Sequence, residues 1–396
     1  MSVVAAVNRG FDALARTRVR VGGRSLSAFR LCGVVGYCAG VLGGTALAAA
    51  HGRSVWVFVV VSAIAGATFV VLAACSRAED GGVQLVAYHH QAAILATTTA
   101  TLLLAGAPVL GYLDSVAVGL GLFLVFGRIG CLMVGCCHGR PAAVGVRYGR
   151  AHVLEGFPPH RVGARLLPVQ ALESAWALVS VGAAVGASWR GPGAGVATYC
   201  VAYATGRFAL EYLRGDGVRR YLAALSEAQW TSLAVTGAIV ALEATGNLPR
   251  DPTHAAALAA MAAASLATIA VAWRRRADDR ALLSPRHVDE LAWTAEHLAA
   301  RAAVDSRLTR SQGPVPSAVH VAATSSGLTV SASTLARSDG AVHHFALSRQ
   351  AGLTPETAAE LGRVICVLTG DERAAALPSR GGDVFHLTVV HRRRAV

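Results

Sequence analysis

Over the first two thirds of the chain, apolar residues gather in runs of about 20 separated by short polar breaks, the length an α-helix needs to cross a bilayer. The pattern predicts spans near 28–50, 54–75, 84–107, 110–133, 168–188, 195–213, 228–246 and 254–273. The last is alanine-rich and has the weakest signal. After Arg274-Arg275-Arg276 the periodicity changes. Leu291, Ala295, Leu298 and Ala302 line one face of a predicted helix over 285–305. Ala318–Thr324 and Leu328–Ser333 alternate as strands around Ser325-Ser326-Gly327, and Phe385–Val390 reads as a further strand. Thr354 is a candidate N-cap for a helix to about Leu368. His343-His344 reads as a solvated pair in a polar loop, and Cys366 as a core residue.

The expected architecture is an α-helical polytopic membrane protein of about seven or eight transmembrane helices with a small C-terminal α+β soluble module. The boundaries are an Arg-rich N-terminal segment over 1–27, a transmembrane domain over 28–273 and the module over 274–396. Residues 1–23 are too polar to span, and the run ending Leu47-Ala48-Ala49-Ala50 reads as an uncleaved first span rather than a cleavage site.

Composition agrees: 54% of residues are hydrophobic and 15% charged, against about 25% charged in soluble domains. All 36 basic residues other than histidine are arginine, and the formal net charge is +13. In a multi-span chain this excess marks juxtamembrane arginines facing anionic lipid, not a nucleic-acid surface.

Charged groups inside apolar runs are the candidates for chemistry, because they are costly there. Arg128 sits in Gly127-Arg128-Ile129-Gly130-Cys131-Leu132-Met133-Val134-Gly135-Cys136-Cys137-His138-Gly139-Arg140-Pro141. Pro168-Val169-Gln170-Ala171-Leu172-Glu173 opens a span with Gln170 and Glu173 three apart on one face. In Gly206-Arg207-Phe208-Ala209-Leu210-Glu211-Tyr212-Leu213-Arg214, Arg207, Glu211 and Arg214 lie on one helical stripe. Their spare guanidinium donors suit a phosphate. Ala87-Tyr88-His89-His90 precedes the third span.

In that order these motifs resemble those of the prolipoprotein diacylglyceryl transferases, over roughly residues 28–246. Gly-Arg-x-x-x-Glu-x-x-Arg matches fully, as do Pro168, Gln170 and Glu173 of a Pro-Ser-Gln-Leu-Tyr-Glu-like motif. His89 aligns with the family's essential histidine, and Ser226-Glu227-Ala228-Gln229-Trp230-Thr231-Ser232 is similar to a following Ser-Met-Gly-Gln-x-x-Ser. Departures concern the signature, usually Gly-Arg-x-Gly-Asn-Phe-x-Asn-Gly-Glu. Here Cys131, Val134 and Cys136 replace two asparagines and the glutamate, Val169 and Leu172 replace a hydroxyl and a tyrosine, and His90 replaces a glycine. A Gly-Cys-x-x-x-Gly-Cys-Cys variant recurs in the broader superfamily.

The resemblance implies transfer of diacylglycerol from phosphatidylglycerol to the lipobox cysteine of a prolipoprotein signal peptide, in the bacterial cytoplasmic (inner) membrane. It implies no cofactor and no metal. His89, Arg128, Arg207 and Glu211 become the catalytic candidates; Arg140, Gln170, Glu173 and Arg214 become the substrate-binding ones. His89 or a carboxylate would take the thiol proton, and Cys131, Cys136 and Cys137 would shape the loop by packing or by one disulfide. Three alternatives stay open. They are a superfamily transferase with another acceptor, a non-catalytic lipid-binding scaffold, and a metal or redox protein using Cys131, Cys136, Cys137 and His138. A zinc site usually draws on a C-x₂₋₄-C and a distant second pair, and adjacent cysteines need an irregular backbone to ligate together. Orientation is open too. Arginines flank both ends, which with eight spans puts the ends and the 134–167 loop in the cytoplasm, whereas the family's active face is outside.

Overall fold

The structure is a computed structural model and describes residues 3–75, 87–216, 221–274, 279–308, 318–337, 340–369, 377–378 and 384–392. It divides into two compact units: Met1–Arg214 with Ala228–Ser265, and Gly215–Glu227 with Leu266–Val396.

The first unit opens with helix α1 (Val3–Leu14) and the hairpin β1 (Arg18–Val21) and β2 (Arg24–Ser27). The bundle follows as α2 (Ala28–Ala50), α3 (Val55–Cys75), α4 (Ala87–Leu104) and α5 (Val109–Val134). After strands β3 (Pro141–Arg147) and β4 (Arg165–Leu166) come α6 (Val169–Ser188), α7 (Ala194–Glu211), α8 (Glu227–Ala244) and α9 (Pro252–Arg274). These helices follow the apolar runs to within a few residues; residues 84–86 of the third run lie outside the described part. Among the described residues five helices, α2, α3, α5, α6 and α9, are long and apolar enough to cross a membrane. The chain is mostly helical and polytopic.

Helix α5 is the axis, packed against α2, α6 and α7. Gly36, Gly40 and Gly44 recur every fourth residue on α2. A methyl at Gly40 would stand 2.5 Å from the Gly119 carbonyl oxygen, and one at Gly36 2.9 Å from that of Phe123. Small residues in this spacing let two backbones touch where lipid supplies no hydrophobic drive between helices.

The Arg-rich leader, expected only to be non-spanning, clasps the loop after α5. Asn8 donates to the Ala143 carbonyl (3.1 Å) and accepts from the Gly145 amide (2.8 Å). Asp12 pairs with Arg165 at 2.9 Å and accepts the Arg147 amide. Burial opposes ionisation of Asp12, but the Arg165 hydrogen bond and the Arg147 amide outweigh it and hold its carboxyl below the usual range.

In the second unit, β5 (Tyr221–Leu222) and β6 (Leu225–Ser226) form a short hairpin. Helix α10 (Pro285–Leu308), strands β7 (His320–Ala323), β8 (Leu328–Arg337) and β9 (Gly340–Arg349), helix α11 (Pro355–Thr369), and strands β10 (Leu377–Pro378) and β11 (Val384–Arg392) follow. The sheet is antiparallel, in order β10-β11-β9-β8-β7. Leu291 and Leu298 of α10 and Leu361, Ile365 and Cys366 of α11 share a core with Val330, Phe345, Leu347 and Leu387. Thr354 Oγ1 accepts the Thr357 amide, as an N-cap does. The loop assigned to His343-His344 is instead strand β9. Phe345 and Leu347 alternate inward there, and His344 Nε2 lies 3.1 Å from His386 Nδ1 on β11.

Candidate active site

At one end of the bundle, α5 finishes, α6 starts, α7 finishes and α4 and α8 start. The polar motif residues converge there. Glu173, in the first turns of α6, is 1% exposed and forms the hub. Arg128 Nη2 of α5 stands 2.9 Å from Glu173 Oε1, Arg207 Nε of α7 stands 3.7 Å from the same oxygen, and Arg214 Nη1 stands 4.0 Å from Oε2. Arg207 Nη1 also pairs with Glu211, one turn along. Tyr203 donates to Glu173 Oε1 at 2.8 Å. The three arginines, Glu211 and Tyr203 are all buried.

Local sequence explains the convergence. Spacing of four residues brings Arg207 and Glu211 to one side of α7, but the helix ends at Glu211, so Arg214 reaches the cluster not from the expected helical stripe but from the turn beyond it, where its backbone bridges to Gly139. Gly206 admits the α6 side chain Trp176, whose Nε1 donates to the Ala202 carbonyl at 2.8 Å. A methyl at Gly206 would fall 1.9 Å from that nitrogen. Without the glycine, α6 and α7 could not approach closely enough for Glu173 to reach Arg207. At the end of α5, Gly135 takes φ 92° and turns the chain out of the helix.

Among the described residues, three guanidiniums, Arg128, Arg207 and Arg214, gather around the two carboxylates Glu173 and Glu211. Arg128 Nε, Gln170 Oε1 and Glu173 Oε2 are buried with no hydrogen-bond partner among the described residues. Buried polar atoms are seldom left so, and three guanidiniums beside such atoms are a set of donors that can hold an anion.

Other expected residues are placed as follows. Gln170 is fully buried and donates to the Cys136 carbonyl at 2.7 Å, so it secures the signature loop from below. Arg140 is half-buried, and its backbone bridges Leu167 and Leu213. Among the described residues its side chain makes no ion pair, with Glu173 or with any other carboxylate. His89 lies on α4, but its side chain is outside the described residues. His90 is buried with its ring 5.1 Å from Phe69. Gln229 and Ser232 of α8 are buried, and Ser232 Oγ lies 2.8 Å from the Tyr88 hydroxyl. Leu172, where the family has tyrosine, is exposed and away from the cluster.

Two groups were missed. Tyr203 lies one turn before Arg207, so extending the Arg207–Glu211 stripe backwards would have found it. Tyr88 is its edge-on neighbour, 6.1 Å between ring centres.

The signature cysteines are free thiols. The Sγ atoms of Cys131, Cys136 and Cys137 all lie within 4.8 Å of one another. Thiol hydrogen bonds from Cys131 and Cys136, then the field of Arg214 and Arg128, hold the Cys137 thiol well below its usual range. His138 is not in this group; its Nδ1 lies 3.0 Å from the Gly139 carbonyl oxygen and its ring packs on Phe157.

The family model for prolipoprotein diacylglyceryl transferase matches residues 29–244, more than half of the chain. The chain belongs to that family. Every residue of the Glu173 cluster lies inside the match. The chain is 32% identical over 127 residues to a phosphatidylglycerol–prolipoprotein diacylglyceryl transferase of Clostridium tetani, covering 32% of this chain and 49% of that protein. It is 33% identical over 132 residues to phosphatidylglycerol–prolipoprotein diacylglyceryl transferase 2 of Clostridium perfringens, covering 32% and 48%. It thus spans about half the length of these curated relatives.

Proposed function

We propose that this diacylglyceryl transferase family member moves the diacylglyceryl group of phosphatidylglycerol onto the cysteine thiol of a prolipoprotein, at the Glu173 cluster. The observation that supports this reading is the meeting of three buried guanidiniums on Glu173 at the head of α6. The thiol sulfur attacks the glycerol carbon that bears the phosphate. The carbon–oxygen bond breaks, and glycerol phosphate departs with the electron pair. Arg128 and Arg207 neutralise the phosphate as charge grows on the leaving oxygen. Glu211 fixes Arg207. Glu173 holds the three guanidiniums in register, and Gln170, Arg140 and Arg214 hold the head group. With both carboxylates engaged by arginine, His89 takes the thiol proton.

The chain would cross the bacterial inner membrane eight times, counting α2 to α9, with the C-terminal unit in water. The acceptor would be a lipobox cysteine in a signal peptide. A second reading, a different thiol or hydroxyl acceptor, is favoured by one feature: Cys131, Val134 and Cys136 remove the amide and carboxylate groups expected in the signature.

The test uses the full chain in detergent with phosphatidylglycerol vesicles and a synthetic lipobox peptide. Glycerol phosphate release matched by a peptide thioether supports the first reading. Release that needs a small thiol and ignores the peptide selects the second. No release with either acceptor sinks both.

A further inference from the structure

We infer that Cys131, Cys136 and Cys137 form a three-thiolate site for a soft monovalent cation, copper(I). The proposal does not depend on the transfer reaction, and neither does its test.

Adjacent cysteines normally point apart, which is the physical objection to pairing Cys136 with Cys137. The backbone here removes it. Gly135 takes φ 92° and Cys137 takes φ 58°, so two left-handed residues flank Cys136 and fold the chain back on the end of α5. A left-handed non-glycine residue is uncommon and costs about 1–3 kcal/mol, and such residues cluster where geometry serves a site. The outcome is three sulfurs within 4.8 Å of one another, with Cys131 contributed by the last turns of α5. A metal–sulfur bond of about 2.3 Å puts the sulfurs of a trigonal site about 4 Å apart. Closing the trio on an ion therefore needs movements below about 1 Å.

The donor set selects the ion. Thiolates favour soft metals, copper(I) first among common ones. Among the described residues the group contains three cysteines and no fourth ligand, whereas structural zinc sites are almost always four-coordinate. Charge points the same way. Copper(I) with three thiolates carries −2, and the buried guanidinium of Arg128 sits less than one turn before Cys131 on α5. Binding exchanges three S–H bonds for three S–Cu bonds and releases the protons to solvent, with no change of oxidation state. The ion would also stiffen the turn whose Cys136 carbonyl accepts from Gln170.

The test titrates reduced, full-length protein in detergent, without oxygen, with copper(I) held by a coloured competing chelator. One copper per chain should be withdrawn from the chelator. Cys131→Ser, Cys136→Ser and Cys137→Ser should each weaken uptake by more than roughly 100-fold, beyond the effect of losing an outer partner. Cys38→Ser, at an exposed thiol, should leave it unchanged. Alkylation mapping of the unmutated protein needs no variant to fold: copper(I) should shield the three signature thiols and spare Cys38 and Cys75. No uptake, uptake that survives the triple serine variant, alkylation unaffected by copper, or tighter holding of zinc than of copper(I) would each overturn the assignment.

Discussion

The two ends of the helix bundle both hold buried charge, yet they hold it differently. Where α5, α7 and α9 begin, polar groups meet in separate pairs or bond to backbone, with Arg53 Nη1 alone among the described guanidinium nitrogens there buried without a hydrogen-bond partner. Asp114 is fully buried and accepts the Gly193 and Val196 amides at 3.0 and 2.8 Å, capping α7 from a neighbouring helix. Glu243 meets His254 at 2.6 Å, and Arg190 meets Asp251 at 2.6 Å. At the Glu173 end, three guanidiniums share two carboxylates, and Arg128 Nε, Gln170 Oε1 and Glu173 Oε2 have no hydrogen-bond partner among the described residues. Matched buried charge fastens helices. Unmatched buried charge persists where a ligand completes it.

Four experiments can break or sharpen that contrast. Glu173→Gln should have the largest effect. It leaves three buried guanidiniums with one carboxylate, so transfer should vanish and the detergent melting transition should fall by the equivalent of about 3–5 kcal/mol. Near-normal activity would remove the hub from the mechanism. Arg207→Ala should lower turnover by on the order of 10²–10³ while the protein still inserts, because it takes away one phosphate-facing donor; rescue of a transferase-depleted strain reads this directly. At the opposite end, Asp114→Asn should cost about 1–3 kcal/mol of stability, since an amide cannot accept from both backbone donors as well. Turnover per folded molecule should stay the same, and a selective loss of turnover would erase the distinction between the ends.

The smallest effect is a pH dependence. Hydrogen bonding from Thr253 first, and Arg190 after the opposing effect of burial, lowers the Asp251 carboxyl from 3.8 to about 2. A lowered carboxyl stabilises the fold above its unfolded value and loses that contribution as pH falls through the folded one. The stability gap between wild type and Asp251→Asn should therefore close between about pH 4 and pH 2, followed by melting temperature. A gap that widens on acidification would reverse the sign.

The helix ends were legible because apolar runs of bilayer length leave few alternatives, and the pairing of Arg207 with Glu211 because helical spacing is rigid; Arg214 was expected on the same stripe, but α7 stops at Glu211 before reaching it. Glu173 as hub was not legible. Residue spacing along α6 says which face it shares with Gln170, not that arginines from α5, from α7 and from the turn after α7 arrive there. The trio of thiols depended on two left-handed residues, and nothing in Gly135-Cys136-Cys137 announces the second. Strand β9 was missed for a different reason. His343-His344 looked polar enough for a loop, although Phe345 and Leu347 kept the alternation that a half-buried strand requires.

The clasp between α1 and the loop after α5 carries a parity rule for the membrane. Asn8 and Asp12 touch residues 143–147 and Arg165, so both partners sit on one side of the bilayer. The chain between them must then cross an even number of times. The three longest apolar helices in that stretch, α2, α3 and α5, make an odd number and would tear the clasp apart. Counting the shorter, threonine-bearing α4 restores evenness. The proposed eight-span count meets this condition, and tags placed at Leu14 and at Gly149 should report the same compartment.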